Sequence, residues 1–237
     1  MTGFLSDPAR SAAVAAARPR IEPGMTIGLG SGRAVFALVD LLATTWSAPR
    51  PLRAVAASAR TEARARTAGI ELVSLDSDLT LDLAIDGADE VDPQLALLKG
   101  GGGALLREKL VLAAARTVVI VAEAPKLVDR LGATRPLPVE VVRFAWPTTR
   151  RRLLDLVPEA TLRQTEAGAP FVSDEGHHLL DCGVPDGDLA ALAAAIKATL
   201  GVVEHGLFPD AADEVLLGDA DGSVRALRPP GRAPGGG

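Results

Sequence analysis

Short, almost wholly apolar runs alternate with stretches of helical spacing along the first half of the chain. Met25–Gly30, Arg53–Ala57, Ile70–Leu75, Leu81–Ile85 and Thr117–Ala122 read as buried strands. Between them, Val35–Leu42, Thr61–Ala68 and Leu105–Ala115 place apolar residues at the spacing of one helix face. This alternation predicts βαβ units around a mostly parallel sheet, an α/β fold. Ligands of such sheets gather at the carboxyl ends of the strands, so the residues that follow each strand are the ones to weigh for chemistry.

Near Pro136 the pattern changes. Pro138–Val142 reads as a strand, and Trp146-Pro147 opens a helix that runs through Arg150–Val157, with proline at a start where its missing N–H does no harm. Strands over Thr161–Thr165 and His177–Cys182, an alanine-rich helix over Asp188–Leu200 and a strand over Val202–Leu207 follow. That order predicts a small α+β insert. Glu214–Leu217 and Val224–Leu227 return to the main sheet. The predicted organisation is a main domain over residues 1–132 and 206–228, an insert over 133–205, and a disordered tail over 229–237.

Composition narrows the classes. No apolar run approaches the roughly 20 residues of a membrane span, and the N-terminus lacks the apolar core of a signal peptide. The single cysteine, Cys182, excludes an intrachain disulfide framework and fits a cytoplasmic location. A net charge of −5, no basic run and only 3% aromatic residues argue against a nucleic-acid partner. A phosphorylated metabolite remains compatible, because a local nest of N–H groups with one or two cations suffices to hold it.

Four clusters could carry chemistry. Gly28-Leu29-Gly30-Ser31-Gly32-Arg33-Ala34 joins a strand to a helix, where a helix N-terminus offers N–H groups to an anion; a tight turn without ligand is the plain alternative. Asp86-Gly87-Ala88-Asp89-Glu90 sets three carboxylates within five residues, which repel unless solvent, a metal or a cation relieves them. A plain acidic turn or a metal site would both account for it, although His177, His178 and His205 all lie in the second half. Lys99-Gly100-Gly101-Gly102-Gly103 precedes a helix bearing Arg107-Glu108-Lys109, and four glycines are entropically costly unless backbone must come close to something. Lys126 follows the strand that ends at Ala122. Together they supply what aldose–ketose isomerisation requires: a phosphate anchor, a base to move a proton between two carbons, and positive charge for an enediolate oxygen, with no cofactor.

The stretches PGMTIGLGSG, AIDGADEVD, LLKGGGGALLREKLV, VAEAPKLVDRLG, PLPVEVV and the late GLF…ADEVLLG closely resemble the ribose-5-phosphate isomerase A family, in its order and spacing. The resemblance implies a Rossmann-like domain with a smaller ferredoxin-like insert, assembled as a homodimer or homotetramer. It implies Glu108 as the general base acting through a cis-enediol, Asp86 and Asp89 as carboxylates on the sugar hydroxyls, and Lys99 as the group polarising the reacting oxygen. By the same resemblance Gly87, Ala88, Gly100, Gly101 and Gly102 line the substrate and Lys126 lies near the phosphate; with no histidine near the acidic cluster and a lysine available as the electrophile, no metal is expected. The loop Ser31-Gly32-Arg33-Ala34 departs from the family's Thr-Gly-Ser-Thr: two hydroxyls are lost and a guanidinium appears. That departure suggests one alternative, a divergent paralogue acting on another phosphorylated sugar; the general fold, shared with sugar-phosphate-sensing domains, suggests a second, a non-catalytic sugar-phosphate-binding protein.

Overall fold

The structure is a computed structural model that describes residues 7–76 and 79–229. The stretch read as a disordered tail lies, apart from Pro229, outside the described residues. In chain order the elements are α1 (Pro8–Ala17), β1 (Thr26–Leu29), α2 (Arg33–Thr45), β2 (Arg53–Ala56), α3 (Ala59–Thr67), β3 (Glu71–Leu72) and β4 (Leu83–Asp86). Next come β5 (Glu90–Val91), β6 (Leu97–Leu98), α4 (Leu105–Ala113) and β7 (Val118–Glu123). The chain continues through β8 (Leu137–Val141), α5 (Trp146–Leu153), β9 (Ala160–Leu162), β10 (His178–Cys182) and α6 (Leu189–Ala198). It ends with β11 (Val202–His205), β12 (Leu207–Phe208), β13 (Glu214–Gly218) and β14 (Val224–Leu227).

Two compact units result. The first takes the described residues up to Ala88, Arg107–Leu127 and those from Asp210 onward; the second takes Asp89–Leu106 and Val128–Pro209. The second unit is therefore larger than the insert expected from sequence, because β5, β6 and β12 pair into a three-stranded sheet of their own that draws Asp89–Leu106 and Leu207–Phe208 into it.

The first unit holds a seven-stranded sheet in the order β14-β13-β7-β4-β1-β2-β3, parallel except for the β13–β14 pair. β1, β4, β7 and β13 are buried throughout, which is why each reads as a continuous apolar run rather than an alternating one. The strand expected over Ile70–Leu75 shrinks to Glu71–Leu72 at the sheet edge, where it has β2 alone to pair with. The first described segment is helical over Pro8–Ala17, with one 3-10 turn over Arg18–Arg20: Asp7 caps α1 by accepting the Arg10 N–H at 3.2 Å, and Pro8 occupies the first turn. Ala9, Ala13, Val14 and Ala17 are the buried face of α1, which packs on β7 and β13.

In the second unit the β8-α5-β9-β10-α6-β11 segment forms an antiparallel sheet in the order β11-β8-β10-β9, a split β-α-β connectivity. Val139, Val141, Leu153, Leu180 and Ile196 are part of its core. The strand expected over Val202–Leu207 is two strands. The chain leaves β8 for β6 at Gly206, whose N–H donates to Pro138 and whose carbonyl accepts from Lys99. Among the described residues no helix is long and apolar enough to cross a membrane.

Gly218 at the end of β13 marks how tightly α1 is seated: a Cβ there would fall 1.9 Å from the Ala9 carbonyl oxygen. Backbone cannot yield as a side-chain tip can, so Gly218→Ala should destabilise by about 2–3 kcal/mol. The check is the urea midpoint at unchanged slope; a midpoint equal to wild type would mean that α1 is not held against β13.

Candidate active site

The strand order fixes where a ligand can sit in the first unit. From β1 the chain moves outward through β2 to β3, then returns to β4 on the opposite side of β1, so the carboxyl ends of β1 and β4 flank the topological switch point. The glycine-rich loop leaves β1 there, and Asp86 ends β4 beside it. Asp86 has no solvent exposure. Its Oδ1 accepts the N–H of Ser31 at 3.0 Å and of Gly87 at 2.7 Å, while the Gly30 N–H donates to the Ile85 carbonyl. A Cβ on Gly30 would lie 1.9 Å from the Asp86 carboxyl carbon. Gly30 is thus glycine because of Asp86, not because a ligand approaches it.

Beyond this contact the loop turns at Gly32, with φ of 85°, and opens α2. Gly32 stands at the N-cap with no side chain to cap the first turn. Arg33 is exposed at the first helical position and Ala34 is buried against Gly87. The Ser31 hydroxyl donates to Ser58 Oγ, which is joined to Thr61, whose hydroxyl in turn donates to the Gly30 carbonyl. Ser31 therefore has its N–H on Asp86 and its hydroxyl on Ser58. Ala88 is buried.

Glu108 lies in the first turn of α4 and is only 5% exposed. Val111, one turn further on and so on the same helix face, fills the space at Gly28 of β1, where a Cβ would be 2.5 Å from its Cγ1. Glu108 consequently faces the sheet rather than solvent. Lys126 follows β7 and pairs with Glu123 Oε2 at 2.8 Å. Glu123 Oε1 takes Arg10 at 2.6 Å from Nη2 and 2.8 Å from Nε. Burial alone would raise the Glu123 carboxyl, but the charge and hydrogen bond of Lys126, its own N–H and Arg10 outweigh that and hold it at about 2 instead of 4.5. The sequence pattern carried no sign of Arg10; the Asp-Pro-Ala-Arg start of a helix was the available clue.

In the second unit, Asp89 follows Ala88 in the chain and accepts the Gly101 N–H at 2.7 Å through Oδ2. A Cβ on Gly101 would sit 2.9 Å from that same oxygen, and one on Gly103 2.6 Å from the Phe171 ring. Gly100, where a Cβ would sit 2.9 Å from that of Leu105, belongs with them, so three of the four glycines make room for the protein itself, while Gly102 is open. Gly100 carries φ of 99°. Lys99 is 3% exposed, with Nζ 5.7 Å from the centre of the Phe208 ring. Glu90 belongs to the architecture: it accepts from Gly132 N–H, Thr134 N–H and hydroxyl, and Arg135 N–H at 2.5–2.9 Å. Among the described residues no group of three or more His, Cys, Asp or Glu is placed to hold a metal ion.

Fold and site together define an α/β protein with a Rossmann-like sheet, a glycine-rich loop at its switch point and buried carboxylates beside it. Residues 53–222 match the family described as ribose 5-phosphate isomerase A (phosphoriboisomerase A). A ribose-5-phosphate isomerase A of Synechococcus sp. (strain JA-3-3Ab) is 46% identical, covering 94% of this chain and 98% of that protein. Among solved structures, the ribose 5-phosphate isomerase from Plasmodium falciparum is similar with a TM-score of 0.87 and 32% identity, over 92% of this chain and 97% of the other. A D-ribose-5-phosphate isomerase in complex with phospho-erythronic acid is similar with a TM-score of 0.86 and 32% identity, over 92% of this chain and 97% of the other. The chain belongs to the ribose-5-phosphate isomerase A family.

The Arg10–Glu123–Lys126 chain has a pH signature. The folded Glu123 carboxyl lies below its ordinary value, so its contribution to stability is complete above pH 4.5 and is lost as pH falls toward 2. Glu123→Gln should lose roughly 3 kcal/mol at neutral pH and show a flatter stability curve across that window. Chemical denaturation at several pH values between 2 and 7 checks this; parallel curves for the two proteins would contradict it.

Proposed function

We propose that this chain interconverts ribose 5-phosphate and ribulose 5-phosphate through a cis-enediol, with Glu108 as the general base. The observation that carries the reading is Glu108 itself: a carboxylate buried to 5% exposure on the sheet-facing side of the first turn of α4, in a member of the isomerase family. Glu108 takes the proton from carbon 2 of the open-chain aldose and returns it to carbon 1, while a proton passes from the carbon-2 hydroxyl to the carbon-1 oxygen. Oxidation state is redistributed within the sugar, so no redox cofactor takes part. Lys99 stabilises the negative charge on the enediolate oxygen, where a positioned cation acts most strongly on the transition state. Asp86 and Asp89 hold sugar hydroxyls, and Gly87, Ala88, Gly100, Gly101 and Gly102 present backbone to the substrate.

The phosphate is assigned to the loop from Ser31 to Ala34 and to Lys126. The phospho-erythronic acid bound by a similar isomerase supports a phosphorylated sugar as the ligand class. The loop's anchor differs from one built on hydroxyls, since the Ser31 hydroxyl is bonded to Ser58 and Arg33 is exposed at the helix start. A guanidinium there provides paired N–H donors to phosphate oxygens. A homodimer or homotetramer in the cytoplasm completes the reading. The exposure of Phe144 (89%) and Leu200 (75%) supports self-association, and the free, buried Cys182 is compatible with a reducing compartment.

Glu108→Gln should fold normally, bind the sugar phosphate, and lose about 10²–10⁴-fold in kcat, the usual contribution of a positioned base. More than about a tenth of the wild-type rate remaining would remove Glu108 from that role. Arg33→Ala should raise KM for ribose 5-phosphate roughly tenfold with little change in kcat, the size of one charge-assisted contact. The effect should weaken as salt rises, because the side chain is exposed. Steady-state kinetics at two ionic strengths decide the matter, and an unchanged KM would rule Arg33 out as a phosphate ligand.

A further inference from the structure

Outside the four clusters weighed for chemistry, a half-buried guanidinium reaches into the glycine loop. Arg163 follows β9, and its backbone is held on both sides: its N–H donates to the Leu179 carbonyl and its carbonyl accepts from Phe171, each at 2.9 Å. Its side chain is 14% exposed and lies 5.9 Å from the centre of the Phe171 ring. Nε donates to Asp181 Oδ2 at 3.0 Å, and Nη2 donates to Oδ1 of the same carboxylate. That fork fixes the plane of the guanidinium and leaves Nη1 directed at the loop. Nη1 donates to the Gly100 carbonyl at 3.0 Å and to the Gly101 carbonyl at 3.1 Å.

A trans peptide is planar, with its N–H and C=O pointing opposite ways. Tying down the Gly100 carbonyl therefore aims the Gly101 N–H the other way, and that N–H is the one Asp89 accepts at 2.7 Å. A glycine loop free to rotate would lose this alignment, because glycine has the widest range of accessible backbone conformations. The same restraint on the Gly101 carbonyl orients the N–H of Gly102, whose surroundings are open.

We infer that Arg163, braced by Asp181, is a positioning residue for the isomerisation: by gripping the Gly100 and Gly101 carbonyls it locks the peptide whose N–H orients the Asp89 carboxylate on the sugar. It touches no substrate and acts through Asp89. The inference rests on the role given to Asp89 above. Arginine suits the task because one planar group meets a carboxylate with one edge and two carbonyls with another; an ammonium on a flexible stem cannot hold all three at fixed angles.

The test uses the full-length protein with ribose 5-phosphate as substrate and the appearance of ribulose 5-phosphate as the signal. Arg163→Met keeps the apolar stem. It should lower kcat about 10–100-fold with KM within about threefold, as expected when a reacting group is misplaced by a fraction of an ångström to an ångström. Arg163→Lys should recover part of the loss. The discriminating measurement is a double-mutant cycle with Asp89→Ala. If Arg163 works through Asp89, Arg163→Met should cost less than about twofold in the Asp89→Ala background. Losses that multiply, or a kcat of Arg163→Met within about twofold of wild type, would overturn the inference. Should Arg163→Met fail to fold, Asp181→Asn unbraces the guanidinium without removing it; full kcat in that variant would overturn the inference equally. A wild-type protein that does not convert ribose 5-phosphate would instead defeat the functional reading itself.

Discussion

Backbone N–H groups donating to buried carboxylates are the interaction on which the rest of this structure depends. A carboxylate taken out of water is costly unless its oxygens are satisfied. Along Asp86–Asp92 the chain places such groups at Asp86, Glu90 and Asp92, and the half-buried Asp89 between them accepts an N–H as well. Asp86 accepts from Ser31 and Gly87, Asp89 from Gly101, and Glu90 from Gly132, Thr134 and Arg135. Asp92 accepts from Gln94 and Ala96, although burial dominates there and pushes its carboxyl up. Peptide dipoles, some from the acidic segment itself and some from separate loops, relieve the mutual repulsion expected of this run. Each acid does two jobs at once, since the donors that satisfy it are loops that would otherwise be free to move.

The parallel sheet explains why the first of these anchors stands where it does. Because β4 returns on the far side of β1, two strand ends meet with no helix crossing over them. The loop from β1 and the acid from β4 then share a space too small for a side chain on Gly30. A glycine that looks in sequence like room for a ligand is room for Asp86. The openness needed for an anion begins two residues later, at Gly32, where the positive φ and the start of α2 coincide.

Much of the fold was legible because parallel strands buried on both faces leave unbroken apolar runs such as those of β1, β4 and β7. α1 escaped because its buried face is mostly alanine, which gives a weak periodic contrast, although Asp7 and Pro8 form a recognisable helix start. β5, β6 and β12 escaped because two-residue strands carry no period at all. The candidate site divides in the same way. Asp86, Lys99, Glu108 and the glycine loops stand in dense local motifs. Arg10 and Arg163 reach their partners across 113 and 63 residues, and a separation of that size leaves no trace in a single sequence.

The basic residues make a final physical distinction. The chain carries 25 lysines and arginines, of which only Lys99, Lys109, Lys126 and Lys197 are lysine. Arginine is used where a planar fork grips a carboxylate from two directions, as in Arg10 on Glu123, Arg64 on Asp40 and Arg163 on Asp181. Lys99 instead sits 3% exposed beside Phe208, and Lys126 extends over Glu123 from the end of β7. A compact ammonium can approach one developing charge or one phosphate oxygen without a rigid plane to accommodate, and its hydrogens turn as the acceptor moves. In a chain that otherwise holds its framework with guanidinium groups, lysine remains at positions where a single point charge serves better than a fork. The split is not complete, since Arg33 is the guanidinium assigned to the phosphate and Lys197 braces Glu204 at 2.8 Å, but Lys99 and Lys126 differ from the bracing arginines in side-chain shape rather than in net charge.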